Sequence, residues 1–181
     1  NKLGRMLLLI LASFPFPALR AMAKAVAFVA WHGHTRIRKV ITINIDLCFP
    51  QTGINEKQQL AKQATLETII TGMEMPRIWL HAEPDDPALS GGVQGQELID
   101  EALSHGKGLI MIGPHLGQWE YFILQMASLY PCTVLSNNTD DIVPTRINEF
   151  IQNGRMKNGA RMVEAQQGVK VLVEALKRSE I

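Results

Sequence analysis

The sequence predicts an α/β protein: a largely parallel central sheet flanked by helices, with an N-terminal apolar, membrane-associated helical segment. Three observations predict it. From Gly106 onward, short apolar runs alternate with helical patterns in the order β-α-β-α-β-α, which calls for crossover helices and hence parallel strands. Met6 to Leu19 carries no charge, and the apolar bias resumes from Ala21 to Trp31 after Arg20. A basic cluster, Arg36, Arg38 and Lys39, follows that region. The chain therefore divides into a membrane-associated segment, residues 1–35, and an α/β domain, residues 36–181.

The N-terminal segment is too short to read simply. Its first uncharged stretch falls below the roughly 20 residues that cross a bilayer. Joining both stretches supplies the length but encloses Arg20 and Lys24, and Pro15 and Pro17 break or kink the first part. Lys2 and Arg5 ahead of an apolar core resemble a signal peptide, but no Ala-x-Ala-like site ends it. The expectation is a tilted span or an in-plane apolar hairpin, with the basic cluster on the cytoplasmic side. A pair of core helices in a soluble protein is the alternative.

The following elements are read in order. Val40 to Pro50 alternates like a strand and equally fits the end of a helix stopped by Pro50. Asn55, with Gln58 three residues on, starts a helix as a capping-box pair. Leu60, Ala64, Leu66, Ile69, Ile70 and Met73 form its apolar stripe, and Gly72 and Pro76 close it. The Pro- and Gly-rich stretch 81–96 is a loop, and 97–103 a short helix. Gly108 to Gly113 reads as a buried strand, 121–129 as a helix and 132–135 as a second strand. A helix over 145–157, a strand over 160–163 and a helix over 167–178 complete the chain. It stops after a helix where a further strand is expected, so it reads as a fragment with its C-terminal part missing.

Composition narrows the function. The 181 residues suffice for one domain with a core. The 18 basic and 17 acidic side chains leave a net charge of +1, so no basic field points to nucleic acid. Cys48 and Cys132 are far apart, match no metal spacing and suit a reducing compartment. No metal or cofactor is expected.

The chemistry concentrates in Gly113-Pro114-His115-Leu116-Gly117-Gln118-Trp119-Glu120. This places His115 at the carboxyl end of a predicted strand, where open α/β sheets hold their sites. In a continuous helix, residues five apart are separated by about 140°. His115 and Glu120 can therefore meet only across a tight turn, for which Gly117 supplies the backbone freedom. The positive field at a helix start disfavours imidazolium and leaves the neutral ring a general base needs. A carboxylate on the other ring nitrogen sets the tautomer and stabilises the imidazolium formed later. Against this stands a plain helix-capping histidine. His32 and His34, next to Trp31, lack a third metal ligand nearby and read as interfacial. His81 and His105 read as loop residues, and Arg155 and Arg161 as solvated positions.

These blocks together resemble the bacterial lipid A biosynthesis acyltransferases, the late acyltransferases of the lauroyl and myristoyl type. Asn44-Ile45-Asp46-Leu47-Cys48-Phe49-Pro50 is similar to that family's Asn-Leu-x-x-Cys-Phe-Pro block. His115 to Glu120 matches its His-x4-Glu/Asp signature, including the Gly and Trp. Gly154-Arg155 and Gly159-Ala160-Arg161 resemble its later Arg-and-Gly block.

The resemblance implies transfer of a fatty acyl group from acyl carrier protein to a lipid A precursor. It places the reaction at the cytoplasmic face of the bacterial inner membrane, among its lipids. His115 then deprotonates the acceptor hydroxyl, Glu120 orients it, and Arg155 contacts the acceptor phosphate or the donor. Arg36, Arg38 and Lys39 would meet anionic head groups or the acidic carrier. Two other readings stand beside it. One is an acyltransferase acting on glycerophosphate or another lipid hydroxyl; the other is a non-catalytic membrane-associated α/β protein. A serine hydrolase is disfavoured, since no Gly-x-Ser-x-Gly elbow occurs.

Overall fold

The structure, a computed structural model, describes residues 2–89, 91–136, 145–165 and 169–181. Among these the fold is mostly helical, with a small sheet at one end. The helices are α1 (Lys2–Ser13), α2 (Phe16–His32), α3 (Arg36–Cys48), α4 (Ile54–His81), α5 (Gln96–Ser104), α6 (Trp119–Leu129), α7 (Thr145–Met156) and α8 (Val169–Lys177). The strands are β1 (Thr133–Ser136) and β2 (Arg161–Glu164).

Helix α4 is the spine. It runs 28 residues, about 42 Å at 1.5 Å per residue, and α1, α2, α3, α6 and α7 all pack on it. Its expected end at Gly72 and Pro76 is corrected, because the helix continues to His81. Pro76 cannot donate to the carbonyl four residues earlier, which is that of Gly72, so both breakers disturb the same turn. Pro76 is fully buried, and the packing around it carries the helix through. The expected cap also moves. The helix starts from Gly53 in extended conformation with no side-chain cap, ahead of Asn55.

The apolar N-terminus is two helices divided at Phe14 and Pro15. Phe16, Leu19, Ala23, Ala27 and Ala30 are buried at spacings of three and four, the inward face of α2. The small side chains of Ala23, Ala27 and Ala30 let α2 lie close to α4. The opposite faces remain apolar and open: Leu3, Met6, Leu7 and Ile10 on α1, and Met22, Val26 and Val29 on α2. Among the described residues, no helix is long and apolar enough to cross a membrane. The 40–50 segment resolves as helix: α3 ends at Cys48, ahead of Pro50, and buries none of its residues.

The parallel sheet is smaller than expected. β1 and β2 pair in parallel, with Thr133 opposite Arg161 and Ser136 opposite Glu164. The predicted strand from Gly108 to Gly113 is not one. Glu180 and Ile181 lie between that segment and β1. The Leu109 N–H donates to the Glu180 carbonyl at 3.1 Å, and the Thr133 N–H to the Ile181 carbonyl at 2.7 Å. Gly108, at φ +70°, permits the approach, since a Cβ there would stand 2.8 Å from Leu176 Cα. With no ladder partner among the described residues, the β-branched run stays irregular, and Ile112 is 92% exposed. The helices after β1 and β2 fall where expected, although 137–144 and 166–168, including the expected start at Gln167, lie outside the described residues.

Two apolar clusters sit beside the site. Phe16, Leu19, Ile78, Ala82, Tyr121 and Leu124 join α2, α4 and α6. Ala127, Cys132 and Ala160 join α6 to the sheet. Helix α6 is therefore held on both sides, which fixes the residues at its start.

Candidate active site

The turn from His115 to Trp119 leads directly into α6. Gly117 takes φ +55°, in the left-handed region that favours glycine, and the chain reverses there. Helix α6 begins at Trp119, two residues before the start expected from the sequence. His115 is exposed, and its ring rests against Trp119 with centroids 4.4 Å apart. Glu120 is 2% exposed, turned inward from the first turn of α6.

Glu120 meets residues distant in sequence. Arg155 of α7 donates from Nε to Oε1 at 3.1 Å and to Oε2 at 2.9 Å, and from Nη2 to Oε1. Trp79 of α4 donates from its indole Nε1 to Oε2 at 3.0 Å. Burying a carboxylate without partners is costly, so a forked guanidinium and an indole N–H are what allow Glu120 to lie inside. Among the described residues no hydrogen bond joins His115 to Glu120. Trp119 links the two sides instead, since the Arg155 guanidinium also lies over its ring, 5.4 Å from the centroid.

Gly154 explains how Arg155 arrives. A Cβ at Gly154 would collide with Trp79, whose Cα would be 3.1 Å away, so glycine lets α7 close onto α4. Arg155 then follows on the next position, beneath α6. The sequence pattern by itself marks Arg155 only as a solvated cation and gives no sign of Trp79. The adjacent Gly154 is the signal for both, because a glycine inside a helical pattern can have a packing reason, which here is the Trp79 side chain of α4.

Beside His115 opens an apolar cleft of about 380 Å³. Leu109, Met111, Phe122, Val134 and Leu172 line it, and His115 stands among the lining residues. The volume is that of a small-ligand pocket, typically about 300–1,000 Å³. Cys132 also lines it; burial pushes its thiol pKa up, with Glu180 adding to the effect. That thiol is protonated at neutral pH and a poor nucleophile.

The remaining polar positions lie elsewhere. His32 Nδ1 is 2.8 Å from the Phe28 carbonyl, and His34 Nδ1 is 2.9 Å from that of His32. Arg38 lies 4.4 Å over the Trp31 ring and donates to the Trp31 carbonyl at 2.6 Å. Arg36 and Lys39 are exposed. Among the described residues no group of His, Cys, Asp and Glu is placed to hold a metal ion.

Residues 2–181 match the family model for bacterial lipid A biosynthesis acyltransferases. The chain is also 24% identical over 183 residues to the lipid A biosynthesis lauroyltransferase of Escherichia coli (strain K12). That similarity covers 99% of this chain and 57% of the relative, so the chain spans a little over half the length of the curated protein it matches.

Proposed function

The chain belongs to the bacterial lipid A biosynthesis acyltransferase family, and from that premise we propose that it moves a fatty acyl group from acyl carrier protein to a hydroxyl of a lipid A precursor. The observation that carries this reading is the position of His115, on the lip of an apolar cleft and at the mouth of the Glu120 turn. The cleft accepts the acyl chain, and the thioester carbonyl then lies near the imidazole. His115 takes the proton of the acceptor hydroxyl as its oxygen attacks that carbonyl. The tetrahedral intermediate collapses, the carrier thiolate leaves, and the imidazolium returns the proton to the sulfur. Free carrier thiol and acylated lipid balance the reaction.

Glu120 orients His115 in this reading through the shared turn. Its oxygens are occupied by Arg155 and Trp79, so it fixes the start of α6 and with it the Trp119 ring on which His115 rests. Arg155 holds that carboxylate and brings positive charge near the acceptor's phosphate. The open apolar faces of α1 and α2, with Arg36 and Lys39 beyond them, support placement on the cytoplasmic face of the bacterial inner membrane.

The test is transfer by the full-length protein from acyl carrier protein thioester to a lipid A precursor. His115→Ala is expected to lose roughly 10²–10⁴-fold in kcat, the usual contribution of a general base. Near-normal transfer by that variant overturns the assignment. Mass spectrometry of lipid A from cells lacking the gene should show a missing acyl chain. Unchanged lipid A with altered glycerophospholipid favours the other acceptor instead.

A further inference from the structure

Glu74 is a second buried carboxylate, and the chemistry above gives it no part. It lies on α4 and is 1% exposed. Two groups reach it from different elements. Arg20 of α2 donates from Nε to Oε1 at 2.6 Å, while Gln118 donates from Nε2 to Oε2. Gln118 is the last residue of the turn, between Gly117 and Trp119. Its other amide atom, Oε1, is buried without a hydrogen-bond partner among the described residues. Glu74 is thus the anchor of that side chain. The turn's further bond to α4, from Thr71 Oγ1 to the Gly117 carbonyl, is long at 3.4 Å.

We infer that Glu74 is a positioning residue for the reaction, tying the His115–Glu120 turn to the spine helix through Gln118 while Arg20 supplies the opposite charge. This rests on the acyl-transfer reading above. The two buried carboxylates then hold the turn from either side of Trp119. Glu120 secures the helix start, and Glu74 secures the residues that carry His115. A buried carboxylate needs a partner charge, and Arg20 provides it from a helix whose outer face is apolar and exposed. An ion pair serving stability alone would need only Arg20; the bond to Gln118 adds the link to the site.

The experiment measures kcat and KM of the full-length protein with acyl carrier protein thioester and a lipid A precursor, alongside thermal melting. Gln118→Ala should lower kcat roughly 10- to 100-fold, as small misplacements of a catalytic group do, with donor KM within about twofold. Glu74→Gln, which keeps an acceptor for Gln118, should lose less than Glu74→Ala. The Glu74→Ala, Gln118→Ala double variant should be no slower than Glu74→Ala alone, because both act through one chain of contacts. Should Glu74→Ala not fold, Gln118→Ala decides the matter. A folded Gln118→Ala with kcat within about twofold of the parent, or multiplicative losses in the double variant, overturns the inference. His115→Ala runs beside them: if it transfers normally, the reaction assignment fails. If it is inactive while Gln118→Ala is not, the positioning role alone fails.

Discussion

The two ends of the signature turn are built differently. Glu120 is buried, bonded by Arg155 and Trp79 from two other helices, and inseparable from the packing of α4, α6 and α7. His115 is exposed, touches its own neighbour Trp119, and faces an apolar cleft. One end is part of the framework and the other is presented by it. In the proposed reaction, His115 needs access to a lipid and a carrier-bound thioester, while a carboxylate acting through the backbone of the turn needs rigidity. The same signature can therefore hold two residues with opposite consequences for stability.

The contrast breaks most clearly under alanine. Glu120→Ala should destabilise the protein by about 2–4 kcal/mol, because the partly buried Arg155 guanidinium and the Trp79 indole N–H both lose their partner. His115→Ala, on an exposed position, should stay within about 0.5 kcal/mol of the parent. Chemical denaturation of the two variants compares them directly; equal stability would show that the carboxylate is not part of the framework. On activity alone the sequence suggests that both substitutions abolish transfer without unfolding. The buried ion pair revises that for Glu120.

A smaller effect is expected at Gly154. Gly154→Ala places a methyl against Trp79 and should cost about 1–3 kcal/mol, as overpacking does. It should also move Arg155 off Glu120 and lower transfer without touching His115. Retained activity together with retained stability would show that α7 can shift freely on α4. The smallest effect concerns the cysteines. Cys48 is exposed, whereas Cys132 is buried with its thiol pKa raised. Brief treatment with iodoacetamide at neutral pH should label Cys48 and spare Cys132, as read by peptide mass spectrometry. Rapid labelling of Cys132 would mean that the cleft floor opens to solvent.

Helices α5 and α6 and the pair β1 and β2 were legible in the sequence, since local apolar periodicity and glycine boundaries are properties of short segments. Gly117 was legible for the same reason: a turn that tight needs a residue free to take positive φ. The segment 108–113 departs from the expected strand because a β-branched run becomes a strand only beside a partner, and Glu180 and Ile181 occupy that place. The sequence ends helix α4 too early because Gly72 and Pro76 act locally, whereas the packing that carries the helix past them comes from α2 and α6.

Sequence alone determined which residue types stand together in the turn, and thus that a histidine and a carboxylate flank a glycine and a tryptophan at the start of a helix. Tertiary structure decided what each of them meets. Arg155 reaches Glu120 across 35 residues, and Trp79 reaches the same carboxylate across 41, separations that no local periodicity encodes. Such contacts exist only once α6 and α7 have packed on α4, and the identity of a buried carboxylate's partner is settled by that packing.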